Sequence, residues 1–536
     1  MKTILAAGIA ALAIPASAKT ELQWWHAMGG RLGEVVDEIA KNYNASQSEY
    51  EIIPTYKGGY EDTMTAGIAA FRAKQQPHVL QIFDAGAATI INAPGATIPV
   101  ADLMEEHGKG FDSNDYIEGV RYFYADSAGK MIGMPFNSST PLLYYNKDAF
   151  AAAGIANPPA TWEEFEAIAP KLKAAGYTAL AQSHSPWILS ENFHSRHNIQ
   201  LSTGNNGYDS TDVKILYNND HMKMHWGKMK EWLDAGHYGF YGRAWGDNQD
   251  AFVQKKVAMW MGSSGSFGGL KKSTDFEFGT TFLPYWKSII DEPKGTFIGG
   301  AALFAMSGKS DAEYKGVADF FAYMTNNENQ VFWHKETGYV PITTAAYAMA
   351  KAEGYYNESP DAEIGILQLS QPGGEWTKGY RLGYYVQIRE VMYKKYDDIF
   401  SGKSSVEKAF SRISGVENQT TKTPYIVVDN YPMLGFLTAL RFLEWVSKNP
   451  EGVISLPTGK TPEYFIKWTH NFLSNWDDKD LIYLRKENGL DIDQKPDLSR
   501  LKFVQIDEFY PMDPSQHNSF FNYVNNFYLS GFGISR

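Results

Sequence analysis

The sequence predicts an α/β protein with mostly parallel sheets, because apolar strand-like segments alternate with amphipathic helical ones. The segments Glu21–Trp25, Tyr50–Tyr56 and His78–Phe83 are short and largely apolar, as strands are. Between the first two, apolar residues recur at helical spacing over Leu32–Tyr43. Sheets with helices on both faces bind ligands in the loops at the carboxyl ends of their strands.

A later helix has both a start signal and a stop signal. Thr161 is followed three residues later by Glu164, which forms a capping box and predicts a helix through Leu172. Gly176 then stands where a helix commonly ends. The alternation of strands and helices therefore continues into this part of the chain.

Composition limits both the number of domains and the functional class. The chain has 536 residues, enough for about two to four domains, with 44% hydrophobic and 21% charged residues, a globular balance. Its net charge of −12 argues against sequence-independent binding of nucleic acid, which needs a basic surface. Aromatic residues make up 15%, which is common in proteins that hold polar ligands by stacking. Without cysteine, disulfides and thiolate catalysis are excluded.

The first 18 residues have the three parts of a secretory signal peptide. Lys2 supplies the positive charge, Ile4–Ile14 the apolar segment, and Ala16–Ala18 the small residues of a cleavage site. The apolar segment is shorter than the roughly 20 residues that a membrane-spanning helix needs. We therefore expect export, with the mature protein beginning at Lys19.

Three loops are rich in glycine and hydroxyl residues. They are Asn137–Pro141 before an apolar strand, Gly262–Ser266 after one, and Ile298–Ala301 before another. Each could offer hydroxyl and amide donors to an anion, and each taken alone is equally an ordinary turn. None has the Gly-Lys-Ser/Thr ending of a Walker loop.

Several motifs within residues 19–419 form a recognisable set. They are Trp25-His26, Pro54–Glu61, Ala66–Arg72, Pro135–Pro141, Thr337–Thr343, Arg381–Gly383 and Gln387–Arg389. Together they resemble the periplasmic sn-glycerol-3-phosphate-binding proteins of ABC importers. The resemblance implies a two-lobed periplasmic-binding-protein (flytrap) fold, with two discontinuous α/β lobes that close over the ligand.

The same resemblance implies what the protein does. It predicts a periplasmic protein without catalytic activity, cofactor or metal. The protein captures sn-glycerol 3-phosphate, or a glycerophosphodiester such as glycerophosphocholine. It then delivers that ligand to a membrane permease with its associated ATPase.

The ligand contacts follow from the resemblance, motif by motif. They are Tyr60, Asp84, Ser139, Trp187, Ser263, Gly300, Tyr339 and Arg389. An arginine fork with hydroxyl and amide donors suits a phosphate, and a carboxylate suits glycerol hydroxyls. Asp84 stands where a relative has Glu, which leaves the choice between monoester and diester open. Outside the resemblance, Tyr60 and Tyr339 could equally be packing aromatics and Arg389 a surface ion pair.

Four histidines have spacings that could place them on one face of a helix. They are His194, His197, His221 and His225. No acidic or cysteine partner completes a metal-binding set in the sequence. We therefore expect solvated helix faces here and no metal site.

The chain changes character after Gln419. A helix is predicted over Met433–Lys448, then a strand at Gly452–Leu456, the loop Pro457–Pro462, and a helix from Glu463. Strand, glycine-containing loop and helix form a layout that suits phosphate binding. A second strand-like segment, Phe503–Tyr510, ends in paired carboxylates, and His517-Asn518-Ser519 follows it.

These C-terminal motifs resemble the glucosamine-6-phosphate deaminase / 6-phosphogluconolactonase superfamily, over about residues 420–536. The resemblance implies an incomplete Rossmann-like α/β fragment, with Asp507 as general base. It implies a phosphate loop of Thr458, Gly459, Lys460 and Thr461, where Lys460 replaces the Gly of many relatives. The family's later ring-opening His does not follow in this chain, so we expect no competent deaminase. We expect two joined reading frames rather than a degenerate fusion.

The sequence leaves three functions open. The first is a solute-binding protein for glycerol 3-phosphate or its diesters. The second is an amino-sugar phosphate isomerase carried by the C-terminal part. The third is an oligosaccharide-binding protein, which the many Trp and Tyr residues suit, although Arg389 and the hydroxyl loops favour an anion.

Overall fold

The computed structural model describes residues 19–126, 128–210, 212–415, 431–456, 462–503, 524–532 and 534. The predicted signal peptide at residues 1–18 lies outside these ranges. The chain divides into two compact units, Met1–Lys422 and Thr423–Arg536. Within the described ranges, no helix combines the length and the apolar composition that crossing a bilayer requires.

The strands of the first unit belong to two sheets. In chain order they are β1 (Thr20–His26), β2 (Tyr50–Tyr56), β3 (Val79–Phe83), β4 (Thr97–Ile98), β5 (Met134–Pro135), β6 (Pro141–Asn146), β7 (Thr178–Gln182), β8 (Tyr238–Gly239), β9 (Val257–Ser263), β10 (Phe278–Thr281) and β11 (Ala301–Met306). One sheet has the order β2-β1-β3-β11-β4, with β5 also paired to β11, and the other has the order β10-β6-β9-β7-β8.

The prediction of mostly parallel sheets is confirmed, with one exception in each sheet: all strands run in the same direction except β11 in the first sheet and β6 in the second. β1 is parallel to β2 and β3, and β7 is parallel to β8 and β9. In contrast, β11 is antiparallel to β3, β4 and β5, and β6 is antiparallel to β9 and β10. A parallel strand needs a crossover connection over the sheet face, whereas β6 and β11 each arrive from the other sheet.

Each sheet is the centre of one lobe, and the strands of the first lobe are discontinuous in sequence. The first lobe contains β1–β5 and β11, and the second contains β6–β10. The chain crosses between them at residues 136–140 and again at residues 282–300. This confirms the predicted two-lobed fold.

Helices cover the sheets of both lobes. The α-helices of the first unit are Gly30–Ser46, Tyr60–Arg72, Asp84–Ile91, Val100–Glu106, Glu118–Arg121, Lys147–Ala152, Trp162–Ala174, Asn192–Arg196, Asp220–Asp234, Trp245–Val253, Phe267–Ser273, Asp311–Thr325, Asn327–Thr337, Thr344–Ala352, Tyr355–Glu358, Ile364–Leu369, Tyr385–Phe400 and Val406–Gly415. Trp187–Glu191 is a π-helical turn, and Thr203–Gly207 is a turn with left-handed residues.

The predicted helical signals are confirmed at residue level. The helix Gly30–Ser46 buries the apolar residues that predicted it, among them Val35, Val36 and Ile39. At Thr161 the capping box is formed: its Oγ1 accepts from the Glu164 N–H at 3.1 Å, and a Glu164 carboxylate oxygen accepts from the Thr161 N–H at 3.3 Å. The helix then runs over Trp162–Ala174.

The prediction that the four histidines lie on solvated helix faces is wrong for three of them. His194, His197 and His225 are buried, whereas His221 is exposed. Burial lowers the pKa of His194 to about 4 and the pKa values of His197 and His225 to about 3, so all three are neutral. His197 Nε2 accepts from the backbone N–H of Trp286 at 2.8 Å. Helical spacing shows that residues share a helix face, but it does not show whether that face packs in an aromatic core or is exposed to solvent. Among the described residues, no cluster suited to a metal ion is found.

The second unit has its own apolar core, which includes Phe436, Leu440, Phe472 and Tyr528. Its elements are the helices Tyr431–Lys448, Glu463–Ser474, Lys479–Glu487 and Ser530–Phe532, the π-helical turn Val524–Leu529, and the parallel strand pair β12 (Val453–Ile454) and β13 (Lys502–Phe503). Helix, strand and helix thus follow in the predicted order.

The residues that carry the deaminase resemblance lie outside the described ranges. They are Thr458, Gly459, Lys460, Thr461 and Asp507. The Rossmann-like fragment and its roles therefore stay predictions.

Replacing Thr161 by Ala removes the hydroxyl that caps the helix Trp162–Ala174. We expect the free energy of unfolding of the first unit to fall by about 1 kcal/mol, as for other lost N-caps. Urea unfolding of the mature chain, followed by circular dichroism, measures the change. Thr161→Ser is the matched control because it keeps the hydroxyl, and equal losses in both variants would contradict the capping role.

Candidate functional site

Two crossover segments hydrogen-bond to each other where the lobes meet. The N–H of Ser139 donates to the carbonyl of Gly299 at 3.0 Å, and the N–H of Gly299 donates back to the carbonyl of Ser139 at 2.9 Å. Gly300 has a left-handed φ of 94°, and a Cβ there would collide with the carbonyl oxygen of Asn137. Only glycine fits this close approach. Two of the three predicted loops are therefore the segments that join the lobes.

The third predicted loop begins at the end of β9 and lies against the first crossover. Ser263 Oγ accepts from the N–H of Gly265 at 3.1 Å, and the N–H of Ser264 donates to the carbonyl of Thr140 at 2.8 Å. The hydroxyls of Ser138 and Ser266 are buried and have no hydrogen-bond partner among the described residues. Unsatisfied buried hydroxyls are uncommon and are available to a polar ligand.

Aromatic rings flank these loops. Tyr60 stacks on Phe83 with ring centroids 5.2 Å apart, and its hydroxyl accepts from the Asn137 side-chain amide at 2.8 Å. Tyr339 lies against Gly265, so a Cβ at that glycine would meet its ring. Burial raises the pKa values of Tyr60 and Tyr339, which keeps both hydroxyls protonated.

Trp187 closes the site beside the second crossover. Its indole N–H donates to the carbonyl of Ile298 at 3.3 Å, and a Cβ at Gly299 would collide with its ring. Trp187 is also the first residue of the π-helical turn Trp187–Glu191. Such turns are rare and are often found at functional sites.

Arg389 lies between two carboxylates, one from each side of the lobe boundary. Its Nη1 and Nη2 donate to the two oxygens of Asp84 at 3.1 and 3.0 Å. Its Nε and Nη2 donate to the two oxygens of Glu191, both at 2.7 Å. The hydroxyl of Tyr380 accepts from Arg389 Nη2 at 3.0 Å and donates to Glu191 at 2.9 Å. We call Asp84, Glu191, Arg389 and Tyr380 the ion cluster.

The ion cluster is almost completely removed from water. The side chains of Arg389, Asp84 and Glu191 are 13%, 6% and 0% exposed. Burial alone lowers the pKa of Arg389, but the negative charges of Asp84 and Glu191 outweigh it and raise that pKa. The alternative of a surface ion pair therefore does not describe Arg389. Two carboxylates and one guanidinium leave this buried cluster with a formal charge of −1.

Each charged residue of the ion cluster is fixed by the element that carries it. Asp84 is the first residue of the helix that follows β3, and its N–H donates to the carbonyl of Gly300 at 2.9 Å. Glu191 ends the π-helical turn. Arg389 lies one turn into the helix Tyr385–Phe400. The first lobe thus supplies Asp84, and the elements that follow β7 and β11 supply the other two.

The eight sequence-predicted contacts form one continuous set, which we call the interlobe site. Asp84 contacts Arg389 and Gly300, Trp187 contacts Gly299, and Ser139 bonds to Gly299. Asn137 joins Gly300 to Tyr60, and Gly265 joins Ser263 to Tyr339. The structure brings these residues together, and their contact with a ligand stays a prediction.

Sequence reasoning missed several residues of this region. Glu191 and Tyr380 complete the ion cluster, and Tyr124 has a buried hydroxyl without a hydrogen-bond partner in the described part of the chain. His184 has a left-handed φ of 54° and lies between the rings of Trp187 and Trp245. Burial and the nearby charge of Arg389 lower the pKa of His184 to about 4. None of these residues stands in a motif that carried the resemblance.

Comparison with known proteins identifies the family. Residues 38–362 match the family model described as bacterial extracellular solute-binding protein. The chain belongs to this family. A relative from Agrobacterium fabrum (strain C58), the sn-glycerol-3-phosphate-binding periplasmic protein UgpB, is 40% identical over 403 residues, which cover 74% of this chain and 92% of the relative. The UgpB of Escherichia coli K12 is 38% identical over 410 residues, which cover 76% and 93%.

Solved structures agree with this assignment of the fold. UgpB from Mycobacterium tuberculosis, solved in complex with glycerophosphocholine, aligns with a TM-score of 0.63 at 20% identity, covering 75% of this chain and 98% of that protein. Maltose-bound MalE3 of T. maritima aligns with a TM-score of 0.62 at 15% identity, covering 75% and 99%. The predicted likeness to glycerol-3-phosphate-binding proteins is confirmed. Membership of this solute-binding family also supports the prediction that the protein is not an enzyme.

Replacing Gly300 by Ala tests the geometry of the second crossover. We expect the added Cβ to push the crossover away from Asn137, which lowers the melting temperature of the first unit by several degrees and displaces the N-terminus of the Asp84 helix. Differential scanning calorimetry of the mature chain measures the shift.

The matched control is Gly154→Ala, at a glycine with φ of 67° and open space around it. It also places alanine at a left-handed φ, but without the collision. Equal shifts in the two variants would show that the close approach to Asn137 is not the cause.

Proposed function

We propose that residues 19–419 capture sn-glycerol 3-phosphate or a glycerophosphodiester in the periplasm and deliver it to the permease and ATPase of an ABC importer. The observation that carries the proposal is the buried Arg389 of the interlobe site, because a neutral sugar has no use for a desolvated guanidinium fork. Relatives at about 40% identity that are named for sn-glycerol 3-phosphate and the periplasm support it.

In the proposed complex the phosphate replaces Asp84 on the outer side of Arg389. The fork then donates to two phosphate oxygens, as it donates to the two oxygens of Asp84 in the structure. Hydroxyls of the Ser139 and Ser263 loops supply further donors. Asp84, once released, becomes an acceptor for the glycerol hydroxyls, and the rings of Tyr60, Tyr339 and Trp187 exclude water.

Calorimetric titration of the mature chain, residues 19–536, tests the proposal directly. We expect saturable binding of sn-glycerol 3-phosphate or glycerophosphocholine and no measurable binding of maltose, because maltose offers no anion to Arg389. Tight binding of maltose without binding of either phosphate would refute the proposal and restore the oligosaccharide alternative.

Removal of the guanidinium tests the role of Arg389. We expect Arg389→Ala to abolish binding of both phosphate ligands, because Asp84 and Glu191 would then face the phosphate without a compensating cation. Arg389→Lys keeps a charge but loses the fork, and we expect an affinity loss of about 100-fold. Isothermal titration measures both, with circular dichroism as the check of folding.

The matched control is Arg412→Ala, at an exposed arginine of the helix Val406–Gly415. It removes the same side chain from a surface position. Unchanged ligand affinity in a folded Arg389→Ala variant would remove Arg389 from the site.

A further inference from the structure

The ion cluster has an excess of negative charge that sequence reasoning did not anticipate. Arg389 is the one Lys or Arg that hydrogen-bonds to Asp84 or Glu191 in the described part of the chain. A ligand phosphate that reaches Arg389 therefore meets a guanidinium already neutralised by Glu191. The charge brought by the ligand then decides how much repulsion remains.

We propose that Glu191 is a specificity-determining residue, which makes the interlobe site favour glycerophosphodiesters with a cationic headgroup over phosphate monoesters. This inference rests on the proposed function. With the three charged side chains, a dianionic monoester brings the total formal charge of the site to −3. A diester phosphate with a quaternary ammonium headgroup is neutral overall and leaves the total at −1.

Glu191 keeps its contact with Arg389 when a ligand enters, whereas Asp84 is the partner that can be exchanged. Glu191 is completely buried, and its carboxylate accepts from Arg389 Nε, Arg389 Nη2 and the hydroxyl of Tyr380. Asp84 contacts only the outer nitrogens Nη1 and Nη2, from across the lobe boundary. Releasing Glu191 would leave a carboxylate buried without a cation, which is far more costly.

The aromatic surface next to the ion cluster suits a cationic headgroup. His184 lies between Trp187 and Trp245, with ring centroids 6.1 and 6.2 Å from them. Trp245 is 41% exposed. The faces of such rings attract quaternary ammonium groups, and a neutral His184 adds no opposing charge.

Neither His184 nor the tyrosines around Arg389 change charge between pH 5.5 and pH 7.5, so they do not produce a pH dependence that would be mistaken for this discrimination. Burial raises the pKa values of the surrounding tyrosines, which are Tyr124, Tyr217, Tyr380, Tyr385, Tyr393 and Tyr396. The pKa of His184 is lowered to about 4. Glu61 is a further carboxylate whose charge acts on Tyr393. The ligand, in contrast, does titrate, because a phosphate monoester has a second pKa of about 6.

The first test needs no substitution. Affinities of the mature chain for sn-glycerol 3-phosphate and for glycerophosphocholine are measured by calorimetry at pH 5.5 and pH 7.5. We expect the ratio of the monoester Kd to the diester Kd to rise at least about fivefold from pH 5.5 to pH 7.5. The reason is that only the monoester gains a negative charge over this range. The diester serves as the internal reference for any titration of the protein. An affinity ratio that does not change with pH would overturn the inference.

The second test is Glu191→Gln, which removes the charge and keeps the shape. At pH 7.5 we expect the affinity for sn-glycerol 3-phosphate to improve about tenfold relative to that for glycerophosphocholine, and the pH dependence of the ratio to shrink. Glu231→Gln is the matched control, at an exposed residue of the helix Asp220–Asp234. If folded Glu191→Gln keeps the wild-type ratio of the two affinities, the inference is overturned. It is also overturned if the variant binds neither ligand, because Glu191 would then only hold Arg389 in place.

The results separate this inference from the proposed function. If the wild-type chain binds neither phosphate ligand, the proposed function fails and the inference fails with it. If it binds both and the ratio responds neither to pH nor to Glu191→Gln, only the inference fails. If Glu191→Gln does not fold, the pH series on the wild-type chain decides alone.

Discussion

Burial of the Arg389 guanidinium is the constraint on which the arrangement of the interlobe site depends. A cation taken out of water must be compensated by charge and by hydrogen bonds to its donors. Asp84, Glu191 and Tyr380 meet both requirements, and they come from separate parts of the sequence. The hydrogen bonds and ion pairs among these residues hold three elements in place. They are the N-terminus of the Asp84 helix, the π-helical turn that ends at Glu191, and the helix Tyr385–Phe400.

Two crossings of the chain between the lobes provide the rest of the frame. Because β6 and β11 arrive directly from the opposite lobe, both join their sheets antiparallel, and the crossover segments that precede them pair with each other. That close pairing requires glycine at position 300 and places serine hydroxyls at the lobe boundary. One topological feature thus accounts for both the mixed sheets and the glycine-serine composition of the loops.

The sequence was most informative where the structure is local. Apolar periodicity located β2 and the buried face of the helix Gly30–Ser46, and a two-residue signal located the cap at Thr161. The motifs that carry the resemblance predicted eight ligand contacts, and the fold brings these eight residues together. The resemblance did not extend to Glu191, and a buried acid inside an apolar helical segment has no local signature. Helical spacing also misjudged His194, His197 and His225. Rings from distant segments contact His194 and His225, and the backbone N–H of Trp286 donates to His197.

The contact between Asp84 and Arg389 has a consequence for which solutes can bind. Asp84 belongs to the first lobe, and Arg389 contacts it through a bidentate pair. In the proposed function, a phosphate must replace that pair with contacts of similar geometry, and it must also offer hydroxyls to the carboxylate it displaces. A simple anion meets the first condition only, and a neutral polyol meets the second only. A glycerol phosphate unit meets both, because its two polar ends are joined by a short carbon chain. In the proposed function this selects against inorganic phosphate, which leaves Asp84 buried without a partner, and against glycerol, which leaves Arg389 Nη1 without an acceptor.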